Sequence, residues 1–484
     1  MCVTIKRYIS VLLSITVCIG LFTGCAKDDG NANKPDDSSS ENAITAELKE
    51  SLDFNGQDIY WVIPPGYGYF DLEGKDPYAR RQNKRIEQLN KKYNVNIVRK
   101  EGKGLYWNTM VTSILAGEPE GHIMLTTASY ALNWFKAGAF ADLTDAMKKT
   151  GIDFSDERYD QSVFRHSCLN GQVFSFCNRS IDGPGSIWIY NKRIFNEMNL
   201  GDPYEMIKNK TWTWDKVEEI ATKATKRKAD GTVEQWGLAF SMHSGLWSMF
   251  MSTNGGGFAS MSKDGPIITL NNAVGTTAME KFYDWAVTKK IAYVNDGSRS
   301  WDAVFQDFTK GNIAMAQVHN KFFTVASEAQ MQDDFGVILP PLGPNATDYY
   351  NPGSTGDYYF IPKTYENMAD KLLLLMDEIW APYDDASYDD LVAEKYASLV
   401  RDEASLDMLI DLVNGNQRDS EWDPYDIDFS GMLGVAWGDV STDQMLSDVL
   451  DGVLKPTEAI SKYSTLFQTA LTDAWGDLEY TPIT

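Results

Sequence analysis

The amino-acid sequence predicts an α/β fold built as two lobes. Apolar segments with strand-like spacing alternate along the chain with helical segments of ten or more residues, which is the pattern of parallel βαβ units in a sheet covered on both faces. About 440 residues follow the N-terminal segments, and a body of that length exceeds what one hydrophobic core normally serves. The alternation and the length together favour two α/β lobes over a single domain.

The N-terminus has the layout of an export signal. Lys6 and Arg7 provide a positively charged start, and an apolar run follows from Ile9 to Leu21. The run is shorter than the ~20 apolar residues that a bilayer-spanning helix needs. We therefore expect residues 1–24 to be a signal peptide.

The exit from this signal contains Thr23-Gly24-Cys25, which resembles the lipobox of bacterial lipoproteins. Phe22 stands where that family usually has leucine. The resemblance implies that Cys25 is acylated, becomes the new N-terminus and anchors the chain at the extracytoplasmic face of the cell membrane. An ordinary cleaved signal with a coincidental cysteine is the alternative.

Residues 25–44 are mostly Asp, Asn, Ser, Ala and Lys. Such a segment has little apolar surface to offset the entropy lost on ordering, so the sequence predicts a disordered tether. A flexible chain of ~20 residues spans roughly 25 Å, which holds a globular body near a membrane without embedding it.

The charge of the chain excludes one class of partner. The formal net charge is −24, with 68 acidic and 44 basic residues. A protein with that balance repels the phosphates of nucleic acids, so no nucleic-acid partner is expected.

Two cysteines remain in the body, Cys168 and Cys177. They flank Asn170-Gly171, a strong signal for a two-residue hairpin turn. That turn places Cys168 opposite Val173, so a cross-strand disulfide between the two cysteines would be out of register. Both are expected to be buried thiols.

The first half of the body supplies three candidate loops. Its predicted elements are, in order, strand Gln57–Ile63, a helix opened by Asp76-Pro77 and ended by Asn94, strand Asn96–Val98, helix Leu105–Ala116 and strand His122–Leu125. In parallel sheets, ligands bind beyond the carboxyl ends of the strands. The loops of interest are therefore residues 64–70, 99–107 and 126–134.

The second half continues the alternation. Its predicted elements are strand Ser186–Tyr190, helix Lys192–Met198, a helix opening at Thr213, strand Trp236–Phe240, a helix opening at Trp247, a helix around residues 278–286, a helix capped by Ser300 that contains Trp301, and strand Ile313–Val318. No repeat of fixed period is present in the sequence.

Six short segments of the body are distinctive: YNKRIF at 190–195, TWTWD at 211–215, FTKGNIAM at 308–315, LPPLG at 339–343, FIPK at 360–363 and PTEAI at 456–460. Together they resemble the extracellular solute-binding proteins of family 1, which are similar to maltose-binding protein. They occur in the family order over about residues 55–475.

This resemblance implies a periplasmic-binding-protein-like fold, in which two α/β lobes joined by a hinge close over a ligand in the cleft between them. It places the first lobe at residues 45–180 plus 345–400 and the second at 181–344 plus 401–484. It also implies a mono- or oligosaccharide as ligand and an ABC permease in the membrane as partner.

A sugar presents apolar C–H faces and a rim of hydroxyls, so its site needs aromatic rings and converging polar groups. The loops and the positions that match the family supply these candidates. The predicted ligand contacts are Tyr67, Tyr69, Tyr130, Trp134, His243, Trp247, His319, Asn320, Ser354, Asp357 and Trp437. For each of them, a role in packing is the alternative.

The resemblance is incomplete at two positions. The family commonly has an acid or an aromatic ring near His243, and here the acid is missing. The family often continues its "AM" segment with Gly-x-Trp, whose ring stacks on sugar, whereas this chain has His319, Asn320 and Phe322 in that region.

No catalytic or cofactor motif emerges from the sequence. The four histidines are not paired at the H-E-x-x-H spacing of zinc enzymes, Ser354 does not lie in G-x-S-x-G, and Gly255-Gly256-Gly257 lacks the residues of a phosphate-binding loop. Asp423, Asp426 and Asp428 do not match the EF-hand spacing, so a solvated acidic loop is favoured over a calcium site. The sequence thus predicts a binding protein without cofactor, metal or catalytic residues.

Two alternatives to an importer component remain open at this point. One is a secreted glycoside hydrolase, because its two catalytic carboxylates have no fixed sequence spacing and the chain has 68 acidic residues. The other is a surface sugar sensor or adhesin that shares the fold without transport.

Overall fold

A computed structural model describes residues 38–65, 70–104, 106–179, 181, 186–241, 250–262, 265–295, 299–300, 302–319, 321–328, 330–349, 357–415, 436–437 and 440–481. The predicted signal peptide and Cys25 lie outside these residues. None of the helices in this part of the chain combines the length and the apolar character needed to cross a membrane.

Helices and strands alternate through most of the chain. The helices are α1 Ser38–Glu50, α2 Pro77–Lys92, α3 Tyr106–Leu115, α4 Ala128–Lys136, α5 Thr144–Thr150, α6 Gln161–His166, α7 Lys192–Met198, α8 Pro203–Lys208, α9 Trp214–Ala224, α10 Ala273–Tyr283, α11 Ala303–Thr309, α12 Phe322–Glu328, α13 Ala369–Ile379, α14 Tyr388–Tyr396, α15 Glu403–Gly415, α16 Thr442–Leu450 and α17 Pro456–Trp475. The strands are β1 Gln57–Ile63, β2 Val95–Glu101, β3 Ile123–Thr127, β4 Cys168–Leu169, β5 Gln172–Val173, β6 Ser186–Asn191, β7 Lys226–Arg227, β8 Val233–Phe240, β9 Ala259–Ser262, β10 Gly265–Ile268, β11 Ala292–Val294, β12 Ile313–His319, β13 Phe335–Ile338, β14 Asp357–Phe360, β15 Ala436–Trp437 and β16 Val440–Ser441.

The first sheet has four strands in the order β14-β3-β1-β2. Strands β1, β2 and β3 are parallel, and β14 joins β3 antiparallel with Asp357 opposite Thr127. In β1 the side chains of Ile59, Trp61 and Val62 are all buried, although neighbouring residues point to opposite faces. This near-continuous burial is expected where helices cover both faces of a parallel sheet. We call this sheet with its helices the first lobe.

The second sheet has the order β11-β8-β12-β6-β13, with β7 paired to β8. Strands β8, β11 and β12 are parallel, whereas β6 runs antiparallel to β12 and β13. Its central strand β12 is buried over Ile313 to Val318. We call this sheet with its helices the second lobe. The predicted α/β fold with two lobes is confirmed.

Local signals in the sequence predicted several elements correctly. The N-cap carboxylate of Asp76 accepts a hydrogen bond from the Ala79 N–H at 2.7 Å, and Pro77 occupies the first helical position of α2. Thr213 caps α9 through its side chain, and Lys192 begins α7 as predicted. These starts depend on contacts within one turn of helix, which is why the sequence predicts them.

One predicted cap is wrong. The N-cap of α11 is Asp302, and Ser300 lies two residues ahead of it. The Ser300 hydroxyl donates its hydrogen bond to the Asp302 carboxylate. A nearby carboxylate accepts a hydroxyl hydrogen bond strongly, so the local pairing competes with capping. Trp301, also predicted to lie in this helix, is outside the described residues.

The hairpin of β4 and β5 follows the prediction. Asn170 and Gly171 both have positive φ, 53° and 72°, as a two-residue turn of this kind requires. Cys168 pairs with Val173 across the hairpin. Cys168 and Cys177 are both buried thiols, and no disulfide joins them.

The structure differs from the sequence prediction at the tether. Helix α1 includes residues 38–44, which composition alone predicts to be disordered. The end of the helix is fastened to the first lobe, where Lys49 forms ion pairs with the carboxylates of Asp377 and Glu378 on α13. Thr45 also donates a hydrogen bond to the Thr150 carbonyl at 2.6 Å. These contacts with distant residues hold the part of α1 that follows residue 44, and the helix continues back from there through residues 38–44.

The predicted lobe boundaries stay a prediction, but several contacts bear on them. The segment after β13 is held to the second lobe at Asn345, whose N–H donates to Asn254 at 3.1 Å, and at Asp348, which pairs with Lys210 at 3.4 Å. The chain pairs with the first sheet again at β14. Helix α14 then packs on α2, and α15 packs on β13.

Candidate functional site

The carboxyl ends of the parallel strands define one edge of each sheet. In the first lobe, β1, β2 and β3 end at Ile63, Glu101 and Thr127, and helices α3 and α4 begin shortly after the last two. In the second lobe, β8, β11 and β12 also end at a common edge. Ligands of open α/β sheets bind at such edges, so the side chains that follow these strands form the candidate site.

An aromatic pair occupies this edge in the first lobe. Trp107, in the first turn of α3, stacks on Tyr130 of α4 with ring centroids 4.7 Å apart and planes 9° from parallel. Tyr130 is 36% exposed and Trp107 is half-buried. The two rings thus combine a rigid stacked arrangement with solvent-accessible surface.

Contacts with the first sheet and with Trp134 hold the rings of Trp107 and Tyr130 in place. The Tyr106 hydroxyl donates to the Leu125 carbonyl of β3 at 2.7 Å, which fixes the start of α3 against the sheet. Trp134 lies 6.1 Å from Trp107 and 5.9 Å from Tyr130 between ring centroids, and it is only 4% exposed. Trp134 also makes an edge-on contact with Phe360 of β14, so the residue beneath the two rings is packed into the core of the first lobe.

Three polar side chains occupy the corresponding edge of the second lobe. The Ser241 Oγ, Asn295 Oδ1 and Gln317 Oε1 atoms are buried and have no hydrogen-bond partner among the described residues. Their backbones are adjacent, because the Ser241 N–H donates to the Gln317 carbonyl at 3.2 Å and the Asn295 N–H donates to the Phe240 carbonyl at 3.1 Å.

An unsatisfied buried polar atom costs about 1–3 kcal/mol, and native structures contain few of them. Three such atoms on neighbouring strand ends form a concentrated set of unused hydrogen-bonding capacity. Chemically, this set can bind hydroxyl groups of a ligand.

His319 ends β12, two residues after Gln317 in the same strand, and is neutral at physiological pH. Its Nδ1 atom accepts a hydrogen bond from the Lys321 N–H at 3.1 Å, so the ring carries its proton on Nε2. Burial, with a smaller contribution from the charge of Lys321, lowers the pKa of His319 from 6.5 to about 4.

Among the predicted contacts, the structure brings Tyr130 and Asp357 to one edge of the first sheet. Asp357 begins β14 opposite Thr127, the last residue of β3. Trp134 lies beneath Tyr130 as part of the core cluster. Trp437 lies in β15, opposite Val440 of β16. Ligand contact by these residues stays a prediction.

The remaining predicted contacts lie outside the described residues. They are Tyr67, Tyr69, His243, Trp247, Asn320 and Ser354. The same is true of the acidic positions Asp423, Asp426 and Asp428. In the part of the chain that the structure describes, no three or more His, Cys, Asp or Glu side chains form a group that could hold a metal ion.

The sequence analysis missed four residues of the candidate site. Trp107 ends the loop 99–107, which the sequence predicts to lie at the ligand site, but Trp107 itself is not among the predicted ligand contacts. Ser241, Asn295 and Gln317 have a weaker signal, a polar residue at the end of an apolar strand. Their proximity depends on the strand order, which periodicity does not reveal.

A comparison with known protein families identifies the family of this chain. The sequence profile described as bacterial extracellular solute-binding protein matches residues 73–381, more than half of the chain. The chain belongs to this family of solute-binding proteins. No curated protein sequence matches it.

Solved structures similar to this solute-binding protein support the same fold. An ABC transporter solute-binding protein from Thermotoga lettingae with bound alpha-D-tagatose is 16% identical, with a TM-score of 0.55, and the match covers 86% of this chain and 100% of that one. The cyclic alpha-maltosyl-1,6-maltose binding protein from Arthrobacter globiformis is 14% identical, with a TM-score of 0.58. The GacH receptor of Streptomyces glaucescens is 13% identical, with a TM-score of 0.57. Each of these two matches covers 86% of this chain and 99% of the other.

The structure contains one sheet edge with stacked rings and another with unsatisfied polar groups. The matched family is extracellular, and the export signal stays a prediction.

Proposed function

We propose that this protein is the sugar-binding component of an ABC importer and captures a mono- or oligosaccharide at the edges of its two sheets. The observation that carries the proposal is the stacked pair Trp107 and Tyr130 in one lobe, together with the unsatisfied Ser241, Asn295 and Gln317 in the other. The solute-binding proteins to which the chain is similar include proteins solved with tagatose and with acarbose, and these bound molecules support a sugar as ligand.

The two edges match the two chemical faces of a pyranose. Aromatic rings bury the apolar C–H face, and hydroxyl and amide groups satisfy the rim. The polar groups are a hydroxyl and two amides, and His319 is neutral, so the described part of the site favours an uncharged sugar.

Capture requires the two lobes to approach each other, because the rings and the polar groups belong to different sheets. A ligand that contacts both lobes shifts the balance towards the closed form by its differential affinity for that form. The permease would then recognise the closed protein and receive the sugar. Tyr67, Tyr69, His243, Trp247, Asn320, Ser354, Asp357 and Trp437 are the further contacts proposed for this closed site.

Thermal unfolding in the presence of candidate ligands tests the function. Protein lacking its first 37 residues should melt at higher temperature with at least one neutral mono- or oligosaccharide, since a ligand at a hundredfold excess over Kd stabilises the native state by about 2.7 kcal/mol. The radius of gyration should fall in the same sample. Stabilisation by amino acids or peptides and by no sugar would overturn the proposal.

Binding without catalysis is the second part of the proposal. A bound oligosaccharide should be recovered chemically unchanged after incubation with the pure protein. Hydrolysis products in excess of the protein concentration would instead identify a glycoside hydrolase.

The proposed anchor gives a separate prediction. Replacing Cys25 with alanine should release the protein from membranes or block its processing, because acylation of this cysteine would supply the hydrophobic attachment. Membrane fractionation measures the outcome, with Cys18→Ala as a matched control inside the signal. Normal processing and wild-type membrane association of the Cys25→Ala protein would exclude a lipid anchor at this residue.

The environment of His319 predicts how binding depends on pH. Because its pKa lies near 4 in the folded protein, the ring is neutral from pH 5.5 to 8, and sugar affinity should be constant over that range. The neutral ring contributes stability above pH 6.5, and that contribution is lost as the pH falls from 6.5 towards 4. Isothermal titration at four pH values measures the affinity. A loss of affinity with a midpoint near pH 6.5 that disappears in His319→Gln would contradict the prediction.

A further inference from the structure

The last residues of the described chain are bound to a distant hairpin. The Asn170 N–H donates to the Glu479 carbonyl at 2.7 Å, and the Glu479 N–H donates to the Asn170 Oδ1 atom at 2.7 Å. The Thr481 N–H donates to the Cys168 carbonyl at 3.1 Å, and the Gly171 N–H donates to the Thr481 Oγ1 atom at 3.0 Å. Residues 479–481 therefore pair with the β4–β5 hairpin as a short antiparallel strand.

The hairpin is part of the first lobe. The Val173 N–H donates to the Thr144 hydroxyl at the start of α5 at 3.1 Å. A few residues further on, Phe176 exchanges two backbone hydrogen bonds with Tyr359 of β14. The binding partner of the tail is thus fixed to the first sheet.

The helix that leads into the tail is part of the second lobe. Gln468 of α17 accepts a hydrogen bond from the Ile268 N–H at 2.9 Å, and Phe467 packs edge-on against Phe258 at 5.0 Å. Helix α17 also packs along α10, whose Phe282 contacts Phe240 of β8. This contact chain connects α17 to the second sheet.

A single joint separates the helix from the tail. Gly476 ends α17 with φ 59° and ψ −126°, a conformation that side-chain-bearing residues rarely adopt. Helix α17 has 20 residues and is about 30 Å long, so it behaves as a stiff rod between its contacts with β10 and this glycine. Only residues 476–478 lie between the rod and the paired tail.

We propose that α17 and residues 479–481 form a strap that limits the relative motion of the two lobes. The rod is fixed to the second lobe and the paired tail to the first, so a rotation of one lobe against the other bends the chain within residues 476–478 or strains the four hydrogen bonds to the hairpin. The strap rests on the lobe motion proposed above, and it adds a restraint at the C-terminus, separate from the segments that join the lobes between β13 and β14.

Two truncations of the full-length chain test the strap. Deletion of residues 479–484 removes the paired tail, whereas deletion of residues 482–484 leaves every contact described here and is the matched control. Spin labels on unnatural amino acids at Lys148 of α5 and Lys228 of the β7–β8 turn, both exposed, report the distance between the lobes without involving the native cysteines. Hydrogen exchange at Asn170 and Gly171 reports whether the tail is bound.

In ligand-free protein, the 479–484 deletion should lose protection at Asn170 and Gly171 and should show a wider distribution of label distances than the control. If the deletion impairs folding, the full-length double substitution Asn170→Gly and Thr481→Ala removes the side-chain contacts, and Asn170→Gly keeps the turn compatible with positive φ. Equal distance distributions in deletion and control, or equally fast exchange in both, would overturn the strap.

The deletion is compared with its control without sugar, and a second measurement adds sugar to the wild-type chain, so the strap and the proposed function are tested separately. A wider distribution in the deletion, combined with no change on adding any sugar to the wild-type chain, would support the strap and count against ligand-driven closure. A sugar-induced shift in wild type with no effect of the deletion would support closure and overturn the strap.

Discussion

Replacing Trp107 with alanine is expected to weaken sugar binding by about 30- to 150-fold, which corresponds to a loss of about 2–3 kcal/mol. The indole would supply the larger surface of the stacked pair, and its removal also leaves Tyr130 without the partner that lies 4.7 Å away. Both effects reduce the preorganised aromatic surface available to the ligand. Isothermal titration with the sugar found by thermal screening measures the change.

Two control variants make the Trp107 result interpretable. Leu115 lies on the same helix and is 59% exposed, so Leu115→Ala should leave the affinity unchanged. Trp107→Phe retains a ring and should recover part of the affinity. An equal loss in Trp107→Ala and Leu115→Ala would show that α3 as a whole was disturbed, and an unchanged Kd in Trp107→Ala would remove the aromatic pair from the binding site.

Replacing Asp377 with alanine is expected to lower the free energy of unfolding by about 3 kcal/mol, the lower end of the range for removing one partner of a buried ion pair. The Asp377 carboxylate is 1% exposed and binds Lys49, the Tyr159 hydroxyl and Arg158, the last at 2.9 Å. Its loss would leave the Arg158 guanidinium beside an apolar methyl group. Because Arg158 is 28% exposed, water offsets part of the penalty.

Urea denaturation measures the loss, and Asp370→Ala is the matched control. Asp370 lies on the same helix α13 and pairs with Lys149, whose side chain is 65% exposed, so that pair should contribute about 1 kcal/mol or less. Hydrogen exchange of α1 should also rise in the Asp377 variant, since Lys49 holds this helix to α13. Equal destabilisation by the two substitutions would contradict the role assigned to the buried carboxylate.

The sequence by itself determined the features that depend on neighbours along the chain. Asp76 and Pro77 predict the start of α2, and Asn170-Gly171 predicts the register that places Cys168 opposite Val173. Alternation of strands and helices predicts the α/β fold. These features depend on hydrogen bonds and steric preferences within a few residues, so they can be predicted from the amino-acid sequence alone.

Only the tertiary structure decided which distant residues meet. Lys49 pairs with Asp377, 328 positions away, and holds the end of a helix whose first residues, 38–44, composition alone predicts to be disordered. Asn170 binds Glu479 across 309 positions. Trp107 stacks on Tyr130, and the polar ends of β8, β11 and β12 converge, because the sheets bring those strand ends side by side. Strand order and lobe packing arise from the burial of apolar surface over the whole chain, and a local pattern contains no information about which strands become neighbours.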